Sequence, residues 1–204
     1  MKNFVFKSVL AGLLIGFAGV LFLLAKSMVS DADSGLLIGA LLFSLGLLSV
    51  ILMKANLFTG KVGYFCSFKD IYMGLLMLVL NLAAAFALGL LFKLCVGNSA
   101  AVDARLLKTW YRILFDSTIC GMCVFLSVDL YKRTSNILTI ILPVIAFIVC
   151  GGEHCIGFAF YLGAGTISLK AVLYLGLMIV GNSAGALLLR LLSCYLIDKP
   201  KEAA

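Results

Sequence analysis

The amino-acid sequence predicts an all-α polytopic membrane protein of six transmembrane helices, arranged as an inverted repeat, with spans two and five broken. Three observations predict it. Of the 204 residues, 64% are hydrophobic and 12% charged, against roughly 25% charged in an average soluble domain. Apolar runs of about 20 residues, the length that crosses a hydrocarbon core, recur along the chain. Two of these runs are interrupted by glycine and polar residues at matching places.

The length leaves room for one transmembrane domain, residues 1–204, and for no separate soluble domain. The net charge of +7 is scattered between apolar runs, not gathered on one segment, which argues against nucleic acid as a partner. Seven cysteines lie mostly within or beside apolar runs, as buried free thiols do. Cys120 and Cys123 form a single C-x-x-C with no second pair and no neighbouring histidine, so no metal or cofactor is expected.

Residues 4–24 follow Lys2 and Lys7 like a secretory signal, but the run is long and no small-residue cleavage site follows it, so it reads as the first span. Gly12, Gly16 and Gly19 lie about one turn apart, as close helix packing requires. The second span, 35–53, runs into Lys54-Ala55-Asn56-Leu57-Phe58-Thr59-Gly60-Lys61, whose Asn and Gly favour a turn. That segment reads either as a break within the span or as an ordinary cytoplasmic loop. Residues 70–92 form the third span with Asn81 at mid-depth, and a basic connection over 93–112 follows. Spans four, five and six fall at 113–131, 137–162 and 171–197, with Pro143 and the 150–154 interruption inside the fifth.

Asn81-Leu82-Ala83-Ala84-Ala85 matches Asn182-Ser183-Ala184-Gly185-Ala186, and each follows a span with a break. Broken spans in corresponding positions point to a transport site between repeats. Three spans per half, 1–92 and 113–197, make the halves insert with opposite orientation. With both termini cytoplasmic, nine of the basic residues, Lys199 and Lys201 among them, face inward against six outward, a slight bias of the correct sign.

The polar centre is Cys150-Gly151-Gly152-Glu153-His154-Cys155, which puts an acid and the only histidine inside an apolar region. Ionisable residues at membrane depth are costly and mark functional sites. The flanking glycines lower helix propensity by about 1 kcal/mol each, so the helix breaks here. The other reading is one buried, hydrogen-bonded histidine inside a continuous helix.

Four separated motifs carry a resemblance. They are Ala11-Gly12-Leu13-Leu14-Ile15-Gly16-Phe17, Phe43-Ser44-Leu45-Gly46-Leu47 leading to Asn56-Leu57-Phe58-Thr59-Gly60, the Gly152-Glu153-His154-Cys155 stretch, and Gly181-Asn182-Ser183-Ala184-Gly185. On these the chain resembles the formate/nitrite transporter family of pentameric anion channels over nearly its whole length. The resemblance implies an aquaporin-like fold with one pore per protomer in a homopentamer of the cell (inner or plasma) membrane. It implies His154 as the central pore residue, Thr59 in the loop, Glu153 orienting the surroundings, and Asn182 and Asn81 supporting the broken segments. Apolar constrictions fall to Leu47, Leu57, Phe58 and Val124 on the cytoplasmic side, and to Phe43 and Phe147 on the other. Three positions depart from the family pattern: Gly152 where an aromatic is usual, Gly121 where Asn is usual, and Lys61 where a neutral residue is usual.

The partners implied are a small anion, a proton and the lipid bilayer. An anion crossing apolar constrictions loses its hydration at high cost, so a weak acid passes best as the neutral form. Arg105 and Lys108 are expected to draw the anion into a vestibule, where it is protonated. Whether His154 supplies the proton or only a hydrogen bond stays open. The rival reading from another class is a membrane-embedded enzyme or metal site built on Glu153, His154, Cys150 and Cys155, a poor ligand set for a catalytic metal.

Overall fold

The computed structural model describes residues 1–196, and the elements along them are helical. Ile197 at the end of the expected sixth span, with Lys199 and Lys201, lies outside the described residues. Five helices are long and apolar enough to cross a membrane: α1 (Lys2–Met28), α2 (Ala32–Leu52), α4 (Phe68–Cys95), α6 (Trp110–Thr134) and α9 (Leu169–Leu196). Two shorter apolar helices, α7 (Leu138–Val149) and α8 (Cys155–Ala164), follow one another across a non-helical linker. A four-residue helix, α3 (Phe58–Lys61), continues into a tight turn at Val62–Tyr64, and α5 (Ala101–Leu106) lies in the connection before α6.

Helices α1, α4 and α6 overrun the expected spans at both ends, and α2 and α9 at their N-terminal ends, because the polar flanks can continue the backbone hydrogen bonding beyond the apolar core. Asp31 caps α2 by accepting from the Ser34 backbone N–H at 2.8 Å. Hydrogen bonds from Ser34 hold its carboxyl below the usual carboxylate range. At α4, Ser67 and Asp70 form a reciprocal capping box that satisfies the N-terminal amides. Helix α5 was not anticipated, since six residues carry too little periodicity to read. Its Val102 is fully buried, and Lys170 donates to the Leu106 carbonyl at its end at 2.8 Å.

Helix α1 packs on α2 and α4, and α6 packs correspondingly on α7 and α9. Small residues let the backbones approach: a Cβ added at Gly12 would collide with the Asn81 carbonyl, and one at Gly121 with the Asn182 carbonyl. Position 121 therefore has a steric reason to be glycine. Helix α8 packs on α4, α3 contacts α6, and α2 packs on α7. Outward faces stay apolar, as at Leu75, Val79 and Phe115, which suits lipid or another copy of the chain.

Candidate functional site

Two asparagines support the two helix starts in the same way. The Asn81 side-chain oxygen accepts from the Phe58 N–H at 2.9 Å, while its amide donates to the carbonyls of Ser8 at 2.6 Å and Asn56 at 2.9 Å. The Asn182 oxygen accepts from the Cys155 N–H at 2.9 Å, while its amide donates to the carbonyls of Ser117 at 2.8 Å and Glu153 at 2.9 Å. A helix starting inside protein leaves orphan amides, and each asparagine satisfies one together with one loose linker carbonyl, while its second amide proton reaches a carbonyl of a long helix.

Those starts put Thr59 against His154. His154 is the N-cap of α8, and its Nδ1 accepts from the Gly157 N–H at 3.1 Å. With Nδ1 filled by an acceptor role, the neutral ring carries its proton on Nε2, which donates to Thr59 Oγ1 at 2.9 Å. Both side chains are buried. The linker ahead of His154 turns at Gly151, whose φ of +80° strains any residue with a side chain.

On one side of this pair lies a cavity of about 560 Å³, reached by Phe22 and Lys26 of α1 and lined by Phe43, Phe147, Glu153 and His154. The Phe43 and Phe147 rings meet edge to face at 6.5 Å, and Phe147 stacks on His154 at 6.4 Å. A smaller cavity of about 210 Å³ holds Leu47, Val50, Leu57, Gly60 and three lysines in its wall. It lies near the other end of α1, where the neighbouring Asn56 N–H donates to the Lys7 carbonyl at 3.0 Å. Phe58 and Val124 are buried but line neither cavity, and Phe58 packs on Phe65 at 6.1 Å.

Arg105 and Lys108 line the larger cavity, and both are engaged by acids. Arg105 Nε donates to Glu153 Oε2 at 2.6 Å, and its guanidinium lies 4.5 Å from the Tyr161 ring centre. Lys108 Nζ donates to Glu153 Oε1 at 2.8 Å, Asp116 Oδ2 at 2.7 Å and the Gly151 carbonyl at 3.0 Å, so all three of its protons are used. Arg112 Nε completes the chain on Asp116 Oδ1 at 2.7 Å. Three cations against two buried carboxylates leave one positive charge. Buried ions need this completeness, because an unpaired charge costs several kcal/mol.

Asp116 and Tyr161 were missed from sequence. Asp116 had a signal: it stands four residues after Arg112, an acid inside an apolar run. Its sharing of Lys108 is a tertiary fact. The seven cysteines are free, as expected, but Cys66, Cys95 and Cys150 are exposed and not buried. Among the described residues no three His, Cys, Asp or Glu side chains converge to hold a metal.

Long apolar helices around a buried polar pair, with cavities on both sides of it, define a multi-pass membrane transport protein. The chain belongs to the formate/nitrite transporter family, whose sequence profile matches residues 1–196. Its family and fold relatives are transporters and channels, not enzymes. An FNT family ion channel is 20% identical with a TM-score of 0.85, covering 98% of this chain and 91% of its own. A pentameric formate channel with formate bound is 21% identical with a TM-score of 0.85, covering 97% of each chain. At these identities the structures show the shared fold. No curated protein sequence matches the chain.

Proposed function

We propose that the protein is a channel for small monovalent anions of weak acids, such as formate, nitrite or hydrosulfide, which pass His154 in the neutral form. The observation that carries this reading is the Thr59–His154 hydrogen bond between two cavities with apolar side chains on both approaches. In this reading α2 with α3, and α7 with α8, are the broken second and fifth of six spans. The halves 1–92 and 113–197 insert inversely, and the matching asparagine bonds support that. Both termini face the cytoplasm of a cell membrane, and five protomers assemble, as in the pentameric formate channel of the same fold, with one pore in each protomer of this protein.

Phe43 and Phe147 form one constriction. Leu47 and Leu57 form the other, backed by Phe58 and Val124. Stripping water from an anion at these points is prohibitive, whereas a neutral acid loses only hydrogen bonds. The His154 Nε2–H and the Thr59 hydroxyl can replace those bonds. Glu153 orients the linker, and Arg105, Lys108 and Arg112 keep the vestibule positive.

Stopped-flow uptake in proteoliposomes across formate, nitrite, hydrosulfide, lactate and acetate at two pH values tests this. Faster flux at lower external pH, and loss of flux in His154→Leu, are expected. Wild-type rates in His154→Leu with unchanged pH dependence would overturn the reading.

A further inference from the structure

The two helices that carry Thr59 and His154 are held very differently. Helix α8 is ten residues long and buried along its whole length, so His154 is carried by a packed rod. Helix α3 has four residues, too few to hold its own shape, because a first helical turn fixes several dihedrals for one hydrogen bond. Its position must come from outside. Asn81 fixes its start at the Phe58 N–H. Its end runs into the turn at Val62–Tyr64.

Tyr64 closes that turn, five positions after Thr59. Its hydroxyl donates to Asp129 Oδ1 on α6 at 2.8 Å, and Asp129 Oδ2 accepts from Arg133 Nε at 2.7 Å. Arg133 also donates to the Ser193 hydroxyl of α9 at 3.2 Å, so one chain of bonds ties the turn to two long helices. Asp129 is buried. A carboxylate there is costly, and as a charged acceptor it makes a stronger bond than a neutral group would. The Tyr64 ring is held as well: its centre lies 5.3 Å from that of Phe125, 3.5 Å from Lys132 Nζ and 5.4 Å from the Arg190 guanidinium. A Cβ added at Gly63 would meet Phe125 and the Ala186 carbonyl, so the turn is wedged between α6 and α9.

We infer that Tyr64 and Asp129 are positioning residues for transport: their bond fixes the far end of α3 and so keeps Thr59 Oγ1 within reach of His154 Nε2. Neither residue lines a cavity, so both act through Thr59 and not on the permeant acid. The inference rests on the channel reading and adds to it the device that holds the less buttressed half of the central pair.

Formate flux in proteoliposomes, measured per folded protein, tests it by a double-mutant cycle. Tyr64→Phe keeps the ring against Phe125 and the cations and removes only the hydroxyl. Flux should fall several-fold, equally in both directions as a passive pore requires, and no further than in Thr59→Val. In the Thr59→Val background Tyr64→Phe should cause no additional loss, because the bond it positions is already gone. A merely structural role would multiply the two losses. Asp129→Ala breaks the same bond from the other side, so it should reproduce the loss and add nothing to Tyr64→Phe, and it carries the cycle by itself if Tyr64→Phe fails to fold. Unchanged flux in Tyr64→Phe or Asp129→Ala, or an extra loss when either is combined with Thr59→Val, would overturn the inference alone. Absence of anion flux in the unmutated protein would remove the channel reading, and the inference with it.

Discussion

Asn81 and Asn182 make the same set of hydrogen bonds at two separate helix starts. Each side-chain oxygen takes the first amide of a helix, and each side-chain amide ties the preceding linker to a long helix. The two residues brought together by those starts are Thr59 and His154, so the asparagines act on that pair only through geometry.

Replacing Asn182 with Ala leaves the Cys155 amide and the Glu153 carbonyl buried without partners. Each such group costs about 1–3 kcal/mol. Asn182→Ala and Asn81→Ala should both lower the melting temperature in detergent and abolish flux. Unchanged melting in either would show that water or a neighbour fills the role.

Gly121→Ala should destabilise the protein by about 1–3 kcal/mol, because the added methyl meets a backbone carbonyl and not a flexible side-chain end. Gly12→Ala should behave alike. Thermal unfolding followed by size exclusion reads both. Tolerance of alanine at 121 would mean that α6 and α9 can separate freely.

Lys108→Met removes the cation shared by Glu153 and Asp116, each of which keeps one arginine, so the loss should be that of hydrogen bonds to charged groups, about 1.5–3 kcal/mol. Adding Asp116→Asn should recover part of it, since the two residues belong to one network. A coupling near zero in that double-mutant cycle would make Lys108 a surface cation with incidental contacts.

Thr59→Val keeps the shape but removes the acceptor for His154 Nε2–H. Flux should fall several-fold while the protein stays folded, and the drop should be smaller than for His154→Leu. Equal flux in Thr59→Val and the unmutated protein would assign Thr59 to packing alone.

Much of the fold was legible because membrane helices are written in composition: long apolar runs, stripes of glycine, and polar residues confined to ends or sites. The glycines at 151 and 152 and the isolated Glu153 and His154 marked the linker, since no apolar helix holds such groups without a reason. The short α5 was not legible, nor the sharing of Lys108, which joins Glu153 and Asp116 across 37 positions of sequence.

The sequence by itself determined that this chain is a membrane protein built of apolar helices, and that His154, Thr59 and the two asparagines stand out from it. Hydropathy and helix propensity are local, and they survive without neighbours. Only the tertiary structure decided that Thr59 meets His154, that Arg105 and Lys108 are held by Glu153, and that Lys108 is shared with Asp116. Those outcomes depend on distances between helices far apart in the chain, and on which charge finds a partner first when water is excluded.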